Sequence, residues 1–138
     1  MPARIQRRRT KGWKMPRGAV YVGRPSIWGN PICITPEVDE RGQKWFRVHG
    51  SPMDRSGGPA FVGVETARYF AARYFEWDLR NGRYGRDYPS IAEIQRKLAG
   101  RDLACWCPLP RILPNGMTST EVMCHADVLL DIANQEVN

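Results

Sequence analysis

The chain has 138 residues, with 21 Lys plus Arg against 14 Asp plus Glu, for a formal charge of +7. That length argues for one domain with one core, which can bury about two thirds of its unfolded surface without a disulfide framework. Apolar residues make up 42%, and no run approaches the roughly 18 that a spanning helix needs, so no membrane partner is expected. The first residues carry no pattern of a secretory signal, and the expectation is the cytoplasm of a bacterial or phage-infected cell. There Cys33, Cys105, Cys107 and Cys124 stay reduced.

The charge is uneven: the first 36 residues hold eight basic side chains and no acidic one. Residues 1–17 read as a basic arm, with Arg4, Arg7, Arg8, Arg9, Lys11, Lys14 and Arg17 interrupted by Trp13. Mutual repulsion leaves such a segment to be ordered mainly by a partner, and nucleic acid, DNA above all, is the partner whose phosphates it suits. Residues 18–138 then form a single α/β domain.

Residues 19–23 predict a first strand, being β-branched and aromatic and ending in a Gly-Arg-Pro-Ser turn. Residues 32–35 and 44–49 predict a hairpin around the polar turn 36–42, and 52–59 is a glycine-rich loop. Between 64 and 80, Ala67, Phe70, Ala71, Tyr74, Phe75 and Trp77 recur at helical spacing, with Asn81-Gly82 as a stop. Ser90 and Glu93 form a capping box for a short helix through Leu98. Residues 103–106 read as a buried strand and 108–116 as a loop. Residues 121–133 read as a last helix that Thr118 and Glu121 can cap. The expected fold is α/β or α+β: one small mixed sheet with about three helices packed on it.

Two clusters carry candidate chemistry. Cys105, Cys107, Cys124 and His125 form a soft-ligand set of the kind zinc selects, placed between a strand end and the last helix. Two obstacles stand against it. On an ideal strand the Cys-x-Cys side chains lie about 7 Å apart, too wide for zinc unless Trp106 or Pro108 bends the chain. On a helix Cys124 and His125 diverge by about 100°. Buried thiols that act only as small hydrophobes are the alternative, and a zinc deaminase fits poorly because its His-x-Glu and Pro-Cys-x-x-Cys signature is absent.

The second cluster is the loop Gly23-Arg24-Pro25-Ser26-Ile27-Trp28-Gly29-Asn30-Pro31, stiff in composition and set at the carboxyl end of an early strand, where α/β sheets bind ligands. Arg24 and Ser26 suit a phosphate, Trp28 suits stacking on a base, and Asn30 suits a water or a base edge. A purely structural turn would use the same residue types.

Val20-Tyr-Val-Gly23 followed by Asn30-Pro31 resembles the strand and Asn-Pro motif of the mismatch-specific uracil and thymine DNA glycosylases. The resemblance spans under ten residues and implies that Asn30 positions the attacking water. The departure is that Gly29, Asn30 and Pro31 are contiguous and Ile32 follows, where those enzymes separate the first Gly by one residue and place a second Gly after the Pro. More broadly, Val20-Tyr-Val-Gly-Arg-Pro-Ser-Ile-Trp-Gly-Asn-Pro31, Leu103-Ala-Cys-Trp-Cys-Pro-Leu109 and Cys124-His-Ala-Asp-Val-Leu-Leu130 resemble a family of small uncharacterised domains from bacteria and their viruses. That resemblance implies that arm, loop and cysteines belong together, in a phage or anti-phage setting.

The leading expectation is therefore a DNA-acting hydrolase that cleaves the N-glycosidic bond of a modified base. Arm residues Arg7, Arg8, Arg9, Lys11, Trp13 and Lys14, with Ser26 and Trp28, would hold the substrate. Asn30 would orient water, Arg24 or Asp127 would stabilise developing charge, and zinc would be structural. Asp54, Asp87, Asp102 and Asp127 are scattered, which disfavours a metal-dependent nuclease. The alternatives are a zinc-stabilised DNA-binding module without catalysis, and an enzyme on free nucleotides or ADP-ribose-type ligands.

Overall fold

The computed structural model describes residues 2–109 and 124–135. Within them the chain forms six strands and three α-helices, a mixed α/β fold built on two small sheets rather than one. The first sheet is parallel, with β6 (Leu103–Cys105) between β1 (Arg4–Gln6) and β2 (Val20–Tyr21). The second is antiparallel, in the order β3 (Cys33–Val38), β4 (Lys44–His49), β5 (Ala60–Phe61). The hairpin is the expected one, although β3 runs to Val38 and leaves a tighter turn in which Asp39 accepts from the Arg41 and Gln43 amides.

β6 is buried at every residue, as a central parallel strand should be. β1 is the element that composition hides. Arg4, Ile5 and Gln6 lie in a charged run, yet they pair residue for residue with Leu103, Ala104 and Cys105, and Arg7 N–H continues to the Cys105 carbonyl at 2.7 Å. The front of the expected arm is thus part of the fold, and the chain leaves the sheet only after Arg7.

Helix α1 (Val64–Arg80) covers the expected range and buries Ala67, Ala71, Ala72, Phe75 and Leu79 along one stripe. In α2 (Ile91–Leu98), the Ser90 hydroxyl accepts from the Glu93 amide as the sequence suggests. Helix α3 (His125–Ala133) begins later than expected: Cys124 is extended, with φ −136° and ψ 163°, and is the N-cap. The suggested Thr118 and Glu121 cap, with most of the 108–116 loop, lies outside the described residues. α3 is the hub, since it contacts α1, α2, β6 and β1, while α1 also covers the antiparallel sheet. One contiguous apolar core runs from Val22 and Trp28 through Phe75, Ile94 and Leu103 to Leu129 and Ile132. Among the described residues no helix is long and apolar enough to cross a membrane.

Candidate functional site

The three strands of the parallel sheet all end at one edge, and the chain bends away there at Arg7, Gly23 and Trp106. A cavity of about 350 Å³ opens beyond this edge, which is where open α/β sheets bind ligands. Its walls include Tyr21 and Arg24 from the end of β2, Asn30, Arg68 on α1, and Trp106. Cys105, Cys107, Cys124 and His125 also line it, with Ala71 and Ala72 of α1. The two clusters that are distant in sequence therefore share one cavity.

The cysteines converge because β6 stops at Cys105. The chain bends at Trp106 and Cys107, so the 7 Å separation of an ideal strand does not apply, and the sulfurs of Cys105, Cys107 and Cys124 all lie within 4.8 Å of one another. Cys105 Sγ and Cys124 Sγ are 3.2 Å apart. Tetrahedral zinc with Zn–S bonds of roughly 2.3 Å spaces its sulfurs by roughly 3.8 Å, so three such thiols can hold a metal ion. His125 stands outside this group among the described residues. Its Nε2–H donates to the Val22 carbonyl at 2.8 Å, and Nδ1 lies 3.7 Å from Cys124 Sγ. Burial holds this imidazole below its ordinary pKa and so neutral at pH 7.

Arg4 organises the cluster from behind. Its guanidinium is buried, with Nε on Asp127 Oδ1 at 2.9 Å, Nη1 on the Cys107 carbonyl at 2.9 Å and 3.7 Å from Cys105 Sγ, and Nη2 on the Pro108 carbonyl at 2.8 Å. The two carbonyls lie on the bend that brings Cys107 round. Within the cluster, hydrogen bonds from Cys107 and Cys124, aided by Arg4, hold the Cys105 thiol far below its usual pKa, while the same bonds push Cys107 and Cys124 up.

Asp127 is not on the cavity. One carboxylate oxygen meets Arg4 and the other accepts the Cys124 amide at 2.9 Å, so it caps α3 and cannot be the expected stabiliser of charge at the reacting atoms. Trp28 is also a correction: it is 6% exposed and belongs to the core, with its carbonyl taken by the Tyr88 hydroxyl at 2.7 Å. A base cannot stack on it. The Ser26 hydroxyl donates to the Gly23 carbonyl at 2.6 Å and serves the turn. Arg24 reaches the cavity wall, but its guanidinium is committed to the carbonyls of Asn30 at 2.6 Å and Ile32 at 2.7 Å. Asn30 Oδ1 accepts the Ile32 amide at 2.9 Å, which leaves Nδ2 as the group it can offer.

Trp106 is exposed at 40% and, unlike the more exposed Trp77 on α1, stands at the cavity. Arg7 and Arg9 lie over its ring at 5.0 Å each, and Arg7 also covers Tyr21 at 4.7 Å, distances at which guanidinium and ring attract. Arg7, Arg8, Arg9, Thr10, Trp13 and Met15 line a surface groove with Trp106, whose ring is also a wall of the cavity. Lys11 and Lys14 are exposed on the same segment without lining the groove. Sequence reasoning passed over Arg4, Tyr21, Arg68 and Trp106. The available signals were the small residues Ala71 and Ala72 facing the cavity, and an aromatic set between two cysteines.

A family model described as a domain of unknown function (DUF4326) matches residues 5–135. The chain belongs to this family. The matched stretch starts within β1, at Ile5, and runs past the end of α3, so it includes most of the strand drawn from the basic run as well as the cysteine centre and the Trp-Gly-Asn-Pro loop. No curated protein and no solved structure matches the chain.

Proposed function

We propose that the protein binds nucleic acid along the groove of Arg7, Arg8, Arg9 and Trp13 and takes one nucleotide into the adjoining cavity, where the N-glycosidic bond of a modified base is hydrolysed. The observation that carries this is Trp106, which forms a wall of both spaces. A strand held by the arginines would stack a base on Trp106 and turn the next inward. In the reaction a water oxygen bonds to the sugar anomeric carbon, the bond to the base nitrogen breaks, and the water proton balances the departing base. Asn30 Nδ2 would orient the water or the base edge, and Arg68 would face the phosphate or the leaving base. Zinc is the ion proposed for the three thiols, because soft thiolates select it. DNA with modified bases suits a phage or anti-phage setting in a bacterial cytoplasm.

A second hypothesis, a zinc-stabilised DNA-binding module without catalysis, is favoured by the internal hydrogen bonding of Arg24, Ser26 and Asn30. The test is to score alkali-labile strand breaks in unmodified and modified viral DNA. Asn30→Asp serves as control because it keeps an oxygen for the Ile32 amide while removing Nδ2. Breaks in modified DNA alone, lost in Asn30→Asp with affinity unchanged, are expected. Tight salt-dependent binding without breaks in any substrate would overturn the hydrolase and leave the binding module.

A further inference from the structure

Structural zinc sites are closed by four protein ligands, whereas sites that act on ligands keep three and leave one position open. The centre here comprises three thiols: among the described residues no His, Asp or Glu atom joins Cys105, Cys107 and Cys124. His125 would complete the set by sequence; its Nε2 holds the Val22 carbonyl at 2.8 Å and its Nδ1 lies 3.7 Å from Cys124 Sγ, but no nitrogen of the ring comes within 4.8 Å of all three sulfurs, so it stands beside the group without joining it. Cys33 and His49 are the other Cys and His of the chain. Neither belongs to the group, and His49 Nε2 is engaged with Thr35 Oγ1 at 2.7 Å. All three cysteines line the cavity, so the space beside their sulfurs is continuous with it.

We propose, building on the metal-binding part of the function proposed above, that a metal ion on these three thiolates keeps its fourth position open to the cavity and takes there one nitrogen, oxygen or sulfur donor of the bound ligand. Water fills that position when no ligand is bound. Charge supports the arrangement. Three thiolates and a dication leave one net negative charge, and the buried Arg4 guanidinium, 3.7 Å from Cys105 Sγ, stands against it. An incoming lone pair therefore meets a metal whose excess charge is offset from the far side. A nucleobase fits this chemistry, since its ring nitrogens and exocyclic oxygens are such donors and Trp106 and Tyr21 flank the same cavity. The metal is then part of the ligand site and not only a staple between β6 and α3.

The experiment uses reduced full-length protein loaded with cobalt(II), whose thiolate charge-transfer and visible ligand-field bands report sulfur ligation and geometry. Azide and imidazole are added separately as small anionic and ring-nitrogen probes. The expected result is one cobalt per chain, with ligand-field bands that shift saturably with either probe while the charge-transfer bands remain. His125→Gln should retain those bands and their shift, as should Cys33→Ser. Cobalt bound with thiolate bands that neither probe shifts would overturn the open position while leaving metal binding intact. A wild type insensitive to both probes beside a sensitive His125→Gln would identify His125 as the fourth ligand and overturn the open position equally. Absence of cobalt binding and of charge-transfer bands would remove the metal reading itself, and the open position with it.

Discussion

Arg4 is one of seven basic residues in the first seventeen, and nothing in that run separates it from Arg7, Arg8 or Arg9. Its partner Asp127 lies 123 residues away, so its burial was not legible in composition or spacing. Breaking a buried ion pair by removing one partner costs more than the pair itself contributes, because the remaining charge loses its compensation. Arg4→Met should therefore destabilise folding by about 3 kcal/mol in urea unfolding, the low end of that effect because the Asp127 side chain is 29% exposed. A change under about 1 kcal/mol would mean that the pair is not formed in solution. The tryptophans divide in the opposite sense from the sequence expectation. Trp28 reads as a stacking residue because it sits among turn formers, but Tyr88 and the core take it up. Trp106→Ala should leave stability nearly unchanged and weaken single-stranded DNA binding by about 1–3 kcal/mol, the usual worth of one stacked base. Trp28→Ala should instead cost about 3–5 kcal/mol of stability as a core truncation. Fluorescence anisotropy and urea titration of both variants check the pair, and a reversed pattern would return Trp28 to the ligand site.

At the scale of elements, the helices were legible because their signals are local: α1 in its apolar period, α2 in Ser90 and Glu93. The hairpin was legible from its two apolar runs. The separation into two sheets was not, because β1 and β2 pair with a strand roughly 80 or more residues further on, and no local pattern encodes a parallel partner. The start of α3 at His125 was missed because Cys is a rare cap, although Asp127 in the third helical position completes the reciprocal pair of hydrogen bonds. For the basic segment, the sheet role of β1 separates what binds from what folds. Replacing the exposed Arg8, Arg9, Lys11 and Lys14 by Gln spares Arg4 and Arg7. It should lower the slope of log K against log salt on duplex DNA by about 3–4 while leaving the urea midpoint in place, if each contacts one phosphate. An unchanged slope would exclude these four residues from the interface.

For the whole molecule, alkaline stability follows from two tyrosines in the core. Burial first, and for Tyr84 also the neighbouring Asp78, raises both Tyr84 and Tyr88 well above the ordinary phenol value. The unfolded chain ionises these groups near pH 10 and the folded chain does not, so their contribution is complete below that pH. Above it the contribution declines by up to about 1.4 kcal/mol per pH unit for each tyrosine. Tyr88→Phe should lose a constant amount of stability, from its hydrogen bond to the Trp28 carbonyl, and halve this alkaline slope between about pH 10 and 11. A slope equal to wild type would place the titration elsewhere. Deleting residues 1–17 is not a neutral way to test the arm, because it removes β1 and the buried Arg4 together.

The central place of β6 also orders events during synthesis. The antiparallel hairpin and α1 have all their residues once Arg80 has been made. β1 and β2, although translated first, have no partner until Leu103–Cys105 leaves the ribosome. From Tyr21 to Leu103 that wait is roughly 4–16 s at ordinary elongation rates. For that interval the basic N-terminal segment emerges as an unpaired polycation beside ribosomal RNA. A ribosome-bound chain truncated before residue 103 should therefore keep residues 4–6 open to protease, with protection gained only as the late strand closes the sheet.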